Sequence, residues 1–212
     1  MINFSKKIFF FTILGVIIYS CSTPASEDEV VTAKDVVNSK TLKSLQSNRS
    51  ALENSLNPYN KEGREFYDFL NKISVLARNP AVSSEVINTT INSSKFNYKI
   101  GLNTAELNYY KSYFDNHDFT LDNLLVFQTN LLNDPANRTN ALLRSVSLNA
   151  WSLLYFEEEG EINQPYCFDN CMVKKLKVVE KGNWIDKAAF ILSTPESTAW
   201  LVASCAWDCR NA

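Results

Sequence analysis

Two cysteine pairs of identical spacing, Cys167/Cys171 in "QPYCFDNC" and Cys205/Cys209 in "SCAWDC", constrain the end of this 212-residue chain more than any other feature. Both stretches read as helical. From Pro165 to Lys181, Phe168, Met172, Leu176 and Val179 make an apolar stripe and Lys174, Lys177 and Lys181 a basic one, before Gly182-Asn183 breaks the pattern. A short segment from Trp184 to Leu192 follows, and Thr194 as N-cap with Pro195 at the first helical position opens a last helix running to Cys209. Side chains four apart on a helix have Cβ atoms about 5–6 Å apart, whereas a disulfide wants about 3.8 Å. Bonding within a pair is therefore strained, while Cys167 to Cys209 and Cys171 to Cys205 is natural if the two helices run antiparallel. The arms match as well: ten residues separate Cys171 from Lys181 and ten separate Pro195 from Cys205, roughly 15 Å each at 1.5 Å per residue.

The other cysteine, Cys21, closes a different pattern. Lys6 and Lys7 precede an apolar run of eleven residues, Ile8 to Ile18, too short to cross a bilayer as a mature helix, which needs about 20. The run ends Ile18-Tyr19-Ser20-Cys21. This resembles the lipobox of bacterial lipoproteins, with an aliphatic residue three before the cysteine and a small one immediately before it; Tyr19 departs from the small residue usual between them. The resemblance implies that residues 1–20 are a signal peptide, that Cys21 becomes the lipidated first residue with palmitate-type acyl chains, and that the membrane is a partner. The competing readings are an ordinary signal peptide or a single anchor helix, which leave Cys21 an odd thiol. Residues 21–30 are polar and acidic, with Glu27, Asp28 and Glu29, and read as a flexible tether. The acidic stretch resembles signals that send lipoproteins to the outer membrane or cell surface, and Ser22, rather than Asp, avoids the inner-membrane retention signal of that class.

The remaining 192 residues suffice for one domain or a domain with an appendage. The net charge of −2 falls to −4 without Lys6 and Lys7, which argues against a nucleic-acid partner. Only Gly63, Gly101, Gly160 and Gly182 follow Cys21, well below the usual share of about 7%, so a fold of many tight hairpins is disfavoured. The expected class is all-α: a helical bundle over 31–160 and a disulfide-stapled antiparallel hairpin over 161–212 packed on it. Val36 to Leu56 fits a helix loosely. Phe66, Phe69, Leu70, Ile73, Leu76 and Ala77 make one face of a second, closed by Asn79-Pro80. Leu107, Tyr110 and Phe114 follow Thr104 as cap; Leu121, Leu124, Leu125, Leu131 and Leu132 follow Thr120; and Asp134-Pro135 opens a helix carrying Leu142, Leu143, Val146, Ala150, Leu153 and Leu154 to Gly160. "NTTINSS" and the alternating Phe96, Tyr98 and Ile100 read as a long loop with a brief extended piece.

Two helices each bearing Cys-x-x-x-Cys, cross-linked in nested order, are similar to the α-hairpinin arrangement, which implies an antimicrobial or protease-inhibiting peptide and carries over only Cys167, Cys171, Cys205 and Cys209. Four thiolates would also suit zinc or copper(I), although an exported chain meets an oxidising compartment where they pair first. No metal or other cofactor is expected. On the last helix Trp200 and Trp207 share a face nearly opposite the cysteines, so the cysteine side should meet the partner arm and the tryptophan side the bundle; the rival is an exposed binding surface of Trp184, Trp200 and Trp207. Glu157, Glu158 and Glu159 form an acidic helix end, read as solvated, that would otherwise receive a basic partner or Lys174, Lys175 and Lys177. His117, the single histidine, reads as part of a connector, and no catalytic motif occurs. The function expected is therefore a lipid-anchored binding or structural module of the cell envelope, with another envelope protein as its candidate partner, rather than an enzyme. The alternatives are a precursor of a bacteriocin-like or inhibitory peptide, a metal-handling protein, and an envelope enzyme acting through His117.

Overall fold

The computed structural model describes residues 33–159, 167–180 and 195–210, with side chains from Leu42 onward except those of 169, 173 and 176–180. The described residues form eight α-helices and no strand. These are α1 (Ala33–Glu53), α2 (Asn60–Arg78), α3 (Ser84–Asn92), α4 (Thr104–Phe114), α5 (Leu121–Leu132), α6 (Asn140–Glu158), α7 (Cys167–Glu180) and α8 (Pro195–Asp208). The all-α class with a stapled C-terminal hairpin is what the sequence led us to expect. The expected signal peptide and tether with Cys21, and also Trp184 and the join between the arms, lie outside the described residues.

At the centre, α2 and α6 run parallel: Glu62 meets Arg144 near their starts, and Arg78 meets Glu159 at their ends. Around them, α8 and α3 pack on α2, while α1 and α5 pack on α6. Two apolar cores result. One joins α2, α3, α7 and α8 through Phe66, Leu70, Ile73, Phe168 and Val202; the other joins α1, α4, α5 and α6 through Leu52, Tyr110, Phe127, Leu142 and Leu154. α6 feeds both, so it is buried nearly all round. Its small polar residues make this possible, since Ser147 Oγ donates to the Tyr59 carbonyl at 3.0 Å and Ser152 Oγ to the Leu148 carbonyl at 2.7 Å.

The helix starts follow local chemistry. Thr120 caps α5 by accepting from the Asn123 amide, as its position in the sequence suggests. For α4 the cap is Asn103, one residue before the expected Thr104, because Asn103 and Glu106 close a capping box. For α6 the cap is Thr139. Asp134-Pro135 does not open this helix: Asp134 Oδ1 accepts from the Ala136 amide and its carbonyl from the Arg138 amide, making a separate turn. Thr139 Oγ1 also bonds Glu106, which ties the starts of α4 and α6 together.

The expected long loop after Pro80 is interrupted by α3. Ser83 caps it, and Ile87 and Ile91, four apart, are buried against α2 and α8. That burial overrides the poor helix propensity of Asn88, Thr89 and Thr90. Residues 93–103 are irregular, with Phe96 and Ile100 inserted into the core.

Candidate functional site

The C-terminal arms are joined as nested pairs, Cys167 to Cys209 and Cys171 to Cys205, with Cα atoms 5.7 and 5.5 Å apart. These are the links that the antiparallel argument selects. The sulfurs are thereby bonded to one another and offer no thiolate to a metal ion; no group of metal-ligating side chains occurs among the described residues. α7 reaches the core through Phe168 and Met172, and Lys175 Nζ bonds Ser204 and lies 3.0 Å from Asp208 Oδ2.

On α8 the small side chains make the close contact with α2, and the tryptophans pack at its edge. Thr198, Ala199, Val202, Ala203, Cys205 and Ala206 are buried, and the helix packs closely on α2. Close approach of two helix axes requires small residues at the contact, and bulky indoles would hold them apart. The tryptophan side does turn toward the bundle, at α3, while the small side makes the close contact with α2. Trp200 and Trp207 flank the contact, partly exposed, on the edge turned toward α3.

There they wall a groove of about 240 Å³, with Ser84, Ile87 and Asn88 from α3 facing Trp200, Ala203, Ser204 and Trp207 from α8. Ile87 and Ala203 are its buried part. The Arg210 guanidinium lies over the Trp207 ring at 3.8 Å, a cation–π contact that holds the indole in place. No ionisable side chain lines the groove. Sequence reasoning found both tryptophans but missed Ser84, Ile87 and Asn88. The signal for them was the Ile87/Ile91 spacing behind Ser83 and Glu85.

The acidic helix end is not a solvated surface. Glu158 pairs with Arg49 at 2.7 Å and accepts a hydrogen bond from the Tyr67 hydroxyl. Glu159, 2% exposed, pairs with Arg78. Glu157 is partly buried and also has a partner. Arginines of α1 and α2 thus engage Glu158 and Glu159. Burial, then the neighbouring Glu158, push the Tyr67 hydroxyl up to about 12. Glu62, Arg144 and Tyr98 repeat the theme: Arg144 donates to Glu62 at 2.6 and 2.8 Å and lies 4.2 Å from the Tyr98 ring. These are joints between helices.

His117 stacks on Tyr113 at 4.2 Å, and its Nδ1 lies 2.8 Å from the Tyr113 carbonyl at the end of α4. It serves the connector. A second hollow, about 310 Å³, lies between α1 and α5, lined by the exposed Leu56 with Leu125 and Leu132 and by amides and hydroxyls such as Asn54, Ser55 and Gln128. Gln128 is already committed to Asn57 and Ser55. The tryptophan groove is thus the better candidate for ligand binding. Comparison with known proteins finds no matching family model, no similar curated protein and no similar solved structure.

Proposed function

We propose that this chain is a lipid-anchored protein of the bacterial outer membrane, held by acyl chains on Cys21, that presents the groove between α3 and α8 as a binding face. The observation that carries the reading is the order basic, apolar, small, cysteine over Lys6 to Cys21. The two disulfides agree with an exported chain, since oxidising compartments favour them. No helix among the described residues is long and apolar enough to cross a membrane. A released C-terminal peptide is the weaker reading, because α8 buries Ala199, Val202 and Ala206 in a core shared with α2. Release would expose that surface on both parts.

The test is mass spectrometry of the N-terminal peptide from protein isolated from its own cells. The expected peptide begins at Cys21 and carries a diacylglycerol thioether. A peptide retaining residues 1–20, or an unmodified Cys21, would overturn the anchor. Protease treatment of intact cells then separates the surface from the periplasmic face.

A further inference from the structure

We propose that the α3–α8 groove is a saccharide-binding site, taking neutral pyranose rings against Trp200 and Trp207; this rests on the reading of the groove as the binding face. A pyranose ring presents C–H groups on its faces and hydroxyls around its edge. It therefore needs a flat apolar wall with neutral donors and acceptors beside it. The groove has both: two indoles, Ile87 and Ala203, and at the rim Ser84, Asn88 and Ser204.

Three observations narrow the ligand. First, polar capacity is left over. Neither indole N–H of the groove nor the Asn88 amide has a hydrogen-bond partner among the described residues, whereas the buried Trp151 donates to Asn60 Oδ1 at 2.8 Å. An acyl chain or wholly apolar peptide seated here would cover those groups without satisfying them. Second, charge is absent from the lining. No Lys, Arg, Asp or Glu is among the residues that line the groove, and Lys175, which bonds the lining residue Ser204, is paired with Asp208, which favours a neutral ligand over an anionic one. Third, one wall is steadied and the two are suitably spaced. Arg210 covers Trp207 and steadies its ring. Trp200 and Trp207 stand seven residues apart, roughly 10.5 Å along the helix. That spacing suits two rings along an extended glycan better than a single compact ligand, and the volume of about 240 Å³ accommodates one ring with a neighbour reaching along the open side.

The test uses the full chain, labelled with 15N at its indoles, in phosphocholine micelles, which carry no sugar headgroup. Cellobiose and N,N′-diacetylchitobiose are titrated to millimolar concentration, and the four indole resonances are assigned by single Trp→Phe variants. The expected result is a saturable shift of the Trp200 and Trp207 resonances with at least one disaccharide, with Trp151 unmoved. Which of the two binds tells a plain glucan from an N-acetylated wall-type glycan. Trp207→Ala should weaken binding about tenfold, and Asn88→Ala severalfold, with both variants retaining native helix content and disulfides. No shift with either disaccharide, or binding unchanged in Trp207→Ala, overturns the proposal. Neutral indole is run as a probe: if it moves the same resonances and the sugars do not, the groove stands as a binding face and the saccharide assignment falls. If neither does, both fall.

Discussion

Replacing Gly63 with alanine tests how closely α2 and α6 cross. Gly63 lies in the first turns of α2, where that helix crosses α6, and a Cβ there would sit 2.3 Å from Trp151 Cδ1, 2.7 Å from Ser147 Oγ and 3.0 Å from the Ser147 carbonyl. Carbon atoms in good contact stand about 3.5–4.0 Å apart, so the gap is short by more than 1 Å. Trp151 cannot swing aside cheaply: it is fully buried, bonded to Asn60, and packed edge-on by Tyr67 at 5.9 Å. Ser147 is held by the Tyr59 carbonyl. Relief must come from parting α2 and α6 or from breaking the indole bond. Overpacking costs typically about 1–3 kcal/mol and a lost hydrogen bond about 1, while alanine returns up to about 1 in helix propensity. The expected net destabilisation is about 2 kcal/mol, a fall in Tm of about 4–8 °C for a chain of this size. The assay is thermal and urea unfolding followed by circular dichroism, with Gly101→Ala as control, since nothing lies within 4 Å of a Cβ there. A Gly63→Ala protein as stable as its parent would refute the close crossing of α2 and α6.

Other perturbations probe the remaining joints. The disulfides close segments of 42 and 34 residues, but because they are nested the second adds only the two four-residue stretches between cysteines. Removing either pair by Cys→Ser should therefore cost about 2.5 kcal/mol and removing both about 6 in the chain-entropy account; equal urea midpoints for single and double removal would sink the nesting. Arg78→Met leaves the Glu159 carboxylate buried without its cation and should cost about 3 kcal/mol, at the low end because Arg78 keeps 23% side-chain exposure. Adding Glu159→Met should restore much of that loss, and additive effects would show the pair to be uncoupled. Burial holds the hydroxyls of Tyr110, Tyr155 and Tyr98 above the ordinary tyrosine range, and Tyr67 at about 12. The folded chain then keeps protons that the unfolded chain releases from about pH 10 upward. Stability is full below that value and falls as pH rises toward 12, by up to about 1.4 kcal/mol per pH unit for Tyr110, which is fully buried. Urea midpoints that stay level between about pH 9 and 11 would contradict this.

What could be read from the sequence and what could not divide along one line. The cysteine pairing was legible because helix geometry strains a bond within each motif, and two arms of equal residue count, run antiparallel, set Cys167 beside Cys209 and Cys171 beside Cys205. The inward stripe of α2 and the Thr120 cap were legible for the same reason: a single local arrangement satisfied the residues present. Elsewhere two local arrangements were equally good, and a distant contact chose between them. Asp134 and Thr139 are both competent caps; Glu106, more than twenty-five residues earlier, bonds Thr139 and helps place the start of α6 there. Asn88, Thr89 and Thr90 accept loop or helix; α2 and α8, by covering Ile87 and Ile91, select helix. Glu158 and Glu159 look like a solvated end until Arg49 and Arg78 arrive from helices about a hundred and about eighty residues away. α8 shows the same ambiguity at the site itself. It has an indole side and an alanine side, and the position of the cysteines opposite the indoles suggested that the indoles turn to the bundle. The close approach to α2 takes the small side, and so leaves Trp200 and Trp207 at the edge, where they can face a ligand rather than the core.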